Sequence, residues 1–372
     1  MKNIEFCASC LFGLEGLLAD ELKRLDVQNV RAQNGRVLFS GDYNTLAKAN
    51  ICLRTAERVC IVLGSFRAVT FEQLFEGTKA LPFEYYIGKN NAFPVKGWSL
   101  NSKLFSIPDC QSIIKKAAVD RLSSKYHINW FSETDSTVQI RFSILKDMVT
   151  VMLDTSGEGL HKRGYRALSS AAPIKETLAA AMVMLSRPYP DSNLYDPFCG
   201  SGTLLIEGAM IARNIAPSLK RRFAAENWGC IKPAFFKAER EAARERINDD
   251  VPFRAFGSDI DSAAVELTAA NAQKAGVADC ISAEVRNISD FSCDTQRGIV
   301  VTNPPYGERL LDVEKARKLY DIMGQKFEKK YGWRYFIISP DEKFEEHFGR
   351  KSDKCRKLYN GMLKCDLYMY FK

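Results

Sequence analysis

Apolar positions in the first 155 residues switch repeatedly between a two-residue and a three-to-four-residue period. Residues 4–10 form an extended run, after which Leu14, Leu17, Leu18, Leu22 and Leu25 recur at helical spacing. Residues 30–39 read as short extended pieces broken at Asn34-Gly35, and residues 43–51 as a helix. The alternation then repeats. Residues 59–63 predict a strand, and residues 70–81 a helix capped by Thr70 with Glu72 and Gln73 in its first turn. Residues 94–100 predict another strand. Pro108 opens an amphipathic helix to Lys125, with Ile113, Ile114, Ala117, Ala118 and Leu122 on one face. Residues 138–142 alternate, and residues 148–153 supply a hairpin partner across Lys146-Asp147. The pattern predicts helices on one side of a small mixed sheet, an α+β module.

Residues 157–172 break the pattern. They are rich in glycine, serine and basic side chains, among them His161, Lys162, Arg163 and Arg166, and read as a linker that can also touch a ligand. From Pro173 onward long helical patterns alternate with short apolar strands, which predicts a parallel sheet with crossover helices. Residues 363–371 alternate and predict a closing antiparallel strand. No internal repeat or low-complexity tract interrupts the chain.

Composition narrows the class without naming a function. A chain of 372 residues, 46% hydrophobic and 26% charged, predicts two or three domains and excludes disordered and fibrous classes. No apolar run approaches the roughly 20 residues needed to span a bilayer. Glu5 interrupts the apolar core that a signal peptide would need, so a cytoplasmic location is expected, with no membrane partner. The net charge of +8, from 53 basic against 45 acidic side chains, permits a polyanionic partner without requiring one. The 11 cysteines are scattered, with only Cys7 and Cys10 in a C-x-x-C, and the 3 histidines are far apart. Free, mostly buried thiols are expected, no metal site, and no histidine-based catalytic dyad.

Three segments carry chemistry. The first is Asp196-Pro-Phe-Cys-Gly200-Ser-Gly202-Thr203, a strand end, a glycine turn and a helix start. Glycine lets the backbone approach a ligand where a Cβ would collide, and the helix start is free to bind an anion. No G-K-[ST] follows, and Leu205 stands where a dinucleotide fingerprint has its third glycine. The second is Gly257-Ser-Asp259-Ile-Asp261, a strand ending in acid. Asp259 at its tip can accept both hydroxyls of a ribose, while Asp261 fits as a helix cap. The third is Asn303-Pro304-Pro305-Tyr306-Gly-Glu-Arg309 after the apolar residues 298–302. The double proline fixes the backbone and lets the Asn303 and Pro304 carbonyls point outward. Two acceptors aimed at one spot suit an exocyclic amino group, and Tyr306 offers a face for stacking an extruded base.

In this order the three segments resemble class I S-adenosylmethionine-dependent methyltransferases of the amino-methylating kind, marked by N-P-P-Y. The match is closer to bacterial large-subunit rRNA guanine-N2 methyltransferases, many of them labelled N6-adenine-specific DNA methylases. Ala8-Ser-Cys-Leu-Phe-Gly-Leu-Glu-Gly-Leu-Leu resembles that family's ferredoxin-like start, and residues 60–165, ending Gly157-Glu-Gly-Leu-His-Lys-Arg-Gly-Tyr-Arg166, resemble its THUMP domain. The resemblance implies three domains: 1–59 ferredoxin-like, 60–165 THUMP and 166–372 methyltransferase. The last is expected to be a Rossmann-like α/β fold with a seven-stranded, mostly parallel sheet.

Carried over residue by residue, the resemblance puts Asp196, Phe198, Gly200, Gly202 and Thr203 at the methionine end of S-adenosylmethionine, and Asp259 with Ile260 at its ribose. Asn303, Pro304, Pro305 and Tyr306 would hold the target amine. Pro173-Ile-Lys-Glu176-Thr177 resembles the stretch that closes over the cofactor. Asn287 stands where the family usually places the aspartate that meets adenine, and its side-chain oxygen can still accept. Lys162, Arg163 and Arg166 are expected to contact RNA from the face that carries Asn303. Lys220, Arg221, Arg222 and Phe223, with Trp228 and Lys232, could meet phosphates or form a solvated helix end, and residues 239–246 read as an exposed mixed-charge face. The implied substrate is RNA, 23S rRNA or a large-subunit assembly intermediate. An N6-adenine methyltransferase acting on DNA is the nearest alternative, and a non-catalytic RNA-binding assembly factor a more distant one.

Overall fold

The computed structural model describes residues 3–166, 174–188, 192–307 and 310–371. The second half of the basic linker, Pro173, and the Glu308 and Arg309 that close the third motif lie outside the described residues. The chain divides into two compact units. The first comprises Met1–Cys10, Leu18–Leu160 and Arg221–Ala242, the second Leu11–Leu17, His161–Lys220 and Ala243–Lys372.

The amino-terminal elements run β1 (Ile4–Cys10), α1 (Glu15–Arg24), β2 (Gln28–Gln33), β3 (Arg36–Gly41), α2 (Tyr43–Cys52), β4 (Ala56–Arg67), α3 (Phe71–Lys79), β5 (Asn91–Ala92), β6 (Val95–Leu100), α4 (Ile107–Tyr126), β7 (Asp135–Thr137), β8 (Ile140–Leu145) and β9 (Met148–Asp154). Seven of these strands form one sheet in the order β2-β3-β1-β4-β9-β8-β6. All neighbours are antiparallel except β6 and β8. The periodicity located the helices, and the cap named from the sequence is in place: Thr70 Oγ1 accepts from Gln73 N (3.2 Å) at the start of α3. It missed the length of β4. This 12-residue strand pairs with β1 on one edge and β9 on the other, so the boundary after residue 59 falls inside a strand. One sheet therefore joins the ferredoxin-like and THUMP segments.

Residues 221–242 belong with this first unit although they follow the glycine turn in sequence. Arg221 donates to the carbonyls of Gly159 and Glu158 (2.7 Å each), and the buried Trp228 donates from Nε1 to Thr137 O (3.1 Å). Arg240 bridges Glu226 and Arg221 O, and Glu239 is buried. Of the basic end, Arg221 is spent on these carbonyls and Phe223 and Trp228 are buried, while Lys220, Arg222 and Lys232 are exposed; the mixed-charge stretch is exposed as expected at Glu241, Arg244, Glu245 and Arg246.

The second unit holds α5 (Glu176–Ser186), β10 (Asn193–Asp196) and α6 (Thr203–Ala212). Past α7 (Ala234–Glu245) it continues with β11 (Ala255–Asp259), α8 (Ser262–Ala275), β12 (Ile281–Val285), β13 (Gly298–Thr302), α9 (Leu310–Lys326), β14 (Trp333–Ser339), α10 (Phe344–Phe348), β15 (Lys354–Asn360) and β16 (Leu363–Tyr370). The strand order is β12-β11-β10-β13-β14-β16-β15, parallel through β14 and antiparallel beyond it. This is the expected class I methyltransferase sheet, with the alternating segment at 363–371 as its antiparallel strand. Aromatic packing fills one side, with Tyr195, Phe291, Phe327, Trp333 and Tyr335 in mutual contact. At Gly298 a Cβ would lie 2.7 Å from the Trp333 ring, so only glycine lets the indole cross the strand.

Glu21 anchors the first unit. It is buried and accepts from Arg54 N (2.8 Å), Thr55 N (3.1 Å) and Thr55 Oγ1 (2.5 Å), tying α1 to the turn between α2 and β4. Replacing it leaves two buried N–H donors unsatisfied, at about 1–3 kcal/mol each. Glu21→Ala is expected to destabilise this unit by roughly 2–4 kcal/mol in denaturant unfolding; an unchanged midpoint would contradict that role.

Candidate active site

The second sheet reverses direction at β10, which has β11 on one side and β13 on the other. In open α/β sheets such a reversal leaves a crevice beyond the carboxyl ends of the strands, because the connections diverge to opposite faces. All three motifs arrive there. Asp196 ends β10, Asp259 ends β11, and Asn303 follows β13 directly. The crevice is a cavity of about 840 Å³ lined by residues of all three segments.

Hydrogen bonds fix the acids. Thr302 Oγ1 donates to Asp196 Oδ1 (2.7 Å), and Phe198 N donates to the same oxygen (3.2 Å). Gly200 N donates to Asp259 Oδ2 (3.0 Å) and Asp261 N to its Oδ1 (3.1 Å). Asp261 caps α8 by accepting from Ala263 N (2.9 Å), the division of labour expected from the sequence. The glycine turn is held from behind: Thr268 Oγ1 donates to Gly200 O and Asn271 Nδ2 to Ser201 O, both at 3.0 Å. Gly200 and Gly202 have positive φ (+53° and +76°), where L side chains are strained.

Of the sequence candidates, Asp196, Phe198, Gly200, Thr203, Asp259 and Ile260 line the cavity, as do Asn287 and Asn303 to Tyr306. Gly202, Glu176 and Thr177 stand behind its wall. A Cβ at Gly202 would meet Thr268 Cγ2 at 2.8 Å, which makes this glycine a close-packing position between α6 and α8. Thr177 is fully buried, and Ile174 and Lys175, just before it, line the cavity instead. Asn287 Oδ1 accepts from Ser289 N (2.9 Å), so one of its lone pairs already caps the turn after β12. The Tyr306 hydroxyl donates to Asn303 Oδ1.

The basic cluster behaves differently. Arg163 has a side chain only 1% exposed, with Nε 3.3 Å from Glu207 Oε1 on α6. Arg166 donates to Glu176 Oε1 (2.8 Å) and to Ile174 O (3.1 Å). Burying an arginine without a carboxylate is costly, and these two have one each. Their guanidiniums hold the linker to α5 and α6 rather than forming an open face with Asn303. Lys162 is exposed.

Sequence reading missed the far wall, made by Asn360, Gly361 and Leu363 at the β15–β16 turn, together with Leu319 of α9. The Asn360-Gly361 dipeptide signals a hairpin, but nothing local says that its tip reaches the cavity.

Burial pushes the Asp196 carboxyl up to about 7, helped by the charge of Asp259 and opposed by the Thr302 and Phe198 hydrogen bonds. Burial likewise pushes the Cys199 thiol up to about 12, which keeps it uncharged.

Comparison with known proteins fits this geometry. Residues 163–369 match the family model for the RMKL-like methyltransferase domain, residues 5–60 the RlmL ferredoxin-like domain, and residues 68–154 the THUMP domain. The chain belongs to the RMKL-like methyltransferase family. It is 43% identical over 374 residues to a Bacillus subtilis protein named "Putative RNA methyltransferase YpsC", covering 100% of this chain and 97% of that one. It is 33% identical over 377 residues to the ribosomal RNA large subunit methyltransferase K/L of Shewanella amazonensis, covering 98% of this chain. This chain spans about half of that longer relative (52%). Among solved structures, that of a protein described as a predicted N6-adenine-specific DNA methylase from Listeria monocytogenes matches at 45% identity and TM-score 0.93, over 100% of this chain and 97% of that one. The structure described as "SMU.472, a putative methyltransferase complexed with SAH" matches at 42% identity and TM-score 0.92, over 100% of this chain and 98% of that one.

The raised Asp196 carboxyl has a consequence for stability. Between its unfolded value of 3.8 and about 7 the folded state holds the extra proton, so folding stability falls as pH rises through that window. Relative to Asp196→Asn, the wild type is expected to lose on the order of a few kcal/mol between pH 4 and pH 8. A difference between the two proteins that does not vary with pH would contradict this.

Proposed function

We propose that this chain transfers a methyl group from S-adenosylmethionine to N2 of a guanine in 23S rRNA, on naked RNA or on a large-subunit assembly intermediate. The observation that carries the proposal is the opening of Asn303, Asp196 and Asp259 into one cavity. The donor set suits the cofactor: a ribose-accepting carboxylate at Asp259, a second carboxylate at Asp196, and a glycine turn whose backbone approaches closely. When bound, the cofactor supplies an electrophilic sulfonium methyl, so the protein's work is positioning.

Asp259 accepts from the ribose hydroxyls, and Asp196 faces the methionine end, where the ammonium group favours its charged form. Asn303 Oδ1 and the Pro304 carbonyl accept the two hydrogens of the target amine. That opposes delocalisation of its lone pair into the ring and stabilises the positive charge that develops as nitrogen attacks. Pro305 fixes the turn, and the Tyr306 ring stacks on the extruded base. After transfer the amine proton leaves from a cation far more acidic than the starting amine, so no histidine is required.

RNA is favoured over DNA because the amino-terminal 165 residues contain the THUMP match, and because the YpsC and K/L relatives carry RNA in their names. These residues would recognise folded RNA while residues 166–372 carry out transfer. An rRNA substrate places the work in the cytoplasm. The DNA reading rests on the shared N-P-P-Y motif and on the name given to the Listeria protein.

Asn303→Ala is expected to abolish labelled-methyl transfer to large-subunit rRNA taken from a strain lacking the gene, while the affinity for S-adenosylhomocysteine in calorimetry stays within a few fold. Parallel loss of both would assign Asn303 to the cofactor pocket. Wild-type transfer to DNA but not to that RNA would overturn the proposal.

A further inference from the structure

The hairpin tip that closes the far side of the cavity carries a feature that cofactor binding does not use. β15 and β16 pair in register from Lys354–Met369 to Asn360–Leu363, leaving a two-residue turn, Gly361-Met362. The positive φ (+64°) falls on Gly361, the first turn position, where tight hairpins favour glycine. A fixed register and a short turn hold the tip in one place. Asn360 and Leu363 lie on the cavity side, in the same lining as Tyr306. Met362, between them in sequence, is 99% exposed, and Leu363 is 45% exposed.

The stem is basic. Its strands carry Lys354, Arg356, Lys357 and Lys364 against a single acid, Asp366. Arg356 is committed to Gly13 O (3.1 Å from Nε), while the three lysines are exposed. Edge-strand lysines discourage edge-to-edge pairing, which accounts for part of the pattern. It does not account for a bare methionine at the tip of a rigid hairpin beside the amine-binding motif.

We propose that this hairpin is an RNA contact in which Met362 and Leu363 fill the gap left in the base stack by the extruded nucleotide, while Lys357 and Lys364 neutralise flanking phosphates. The inference rests on the RNA reading above. Extruding a base leaves a hole between its neighbours, and an apolar side chain inserted there recovers stacking surface. The wedge must stand at the mouth of the cavity that receives the base, as Met362 does.

The test uses the full chain with the same unmodified large-subunit rRNA and labelled S-adenosylmethionine. Met362→Asp is expected to lower kcat/KM for RNA about tenfold or more, the worth of one lost stacking contact, with affinity for S-adenosylhomocysteine within twofold of wild type. Met362→Phe should retain wild-type transfer. Lys357→Gln with Lys364→Gln should raise KM for RNA and flatten its salt dependence, leaving kcat little changed. A kcat/KM for Met362→Asp within twofold of wild type overturns the inference while leaving the proposed function standing. Parallel loss of cofactor affinity also overturns it, by placing the tip in the cofactor pocket. A wild-type enzyme that methylates DNA and not RNA overturns both.

Discussion

The hydrogen bond from Thr302 to Asp196, together with the one from Gly200 N to Asp259, ties the carboxyl ends of β13, β10 and β11 to one another. The site depends on that tie. Reversal of strand order at β10 opens the crevice, but an open crevice with two unrestrained carboxylates would leave them to repel each other or face outward. Here each acid is aimed by a donor from a neighbouring strand end or from the glycine turn. The turn is itself held by Thr268 and Asn271 of α8. The glycine positions follow from the same constraint: Gly202 must let α8 approach, and the backbone at Gly200 must turn while donating to Asp259.

Much of this geometry was legible in the chain. The acids at strand tips, the glycines between them and the Asn-Pro-Pro-Tyr run are local signals, and Asp261 was separable from Asp259 because a helix follows it directly. Most helices of the first unit were legible for the same reason, as was the Thr70 cap. What escaped depends on distant partners. The single β4 strand joins two segments that resemble separate modules. Residues 221–242 follow a methyltransferase motif yet belong with the first unit. Gly202, Glu176 and Thr177 sit in the right motifs but face the packing. The tip at Asn360 to Leu363 reaches the cavity only because β16 runs antiparallel beside β14.

The net charge of +8 shows why composition reads a partner poorly. The basic stretch that looked most like an RNA contact is spent internally, with Arg163 on Glu207 and Arg166 on Glu176. Arg221 and Arg240 are spent in the same way in the other unit. Arginine's planar fork suits such buried pairings, whereas lysine keeps its strongly hydrated ammonium in water. The exposed lysines of the β15–β16 stem are therefore a better guide to a polyanion than the arginine-rich linker.

The most direct measurement compares nucleosides from a strain lacking the gene with those of its parent, by mass spectrometry of digested 23S rRNA and of digested DNA. The account predicts loss of N2-methylguanosine from the rRNA, restored by the wild-type gene and not by the Asn303→Ala variant, with DNA unchanged. Loss of N6-methyladenine from DNA with an intact rRNA profile would contradict it.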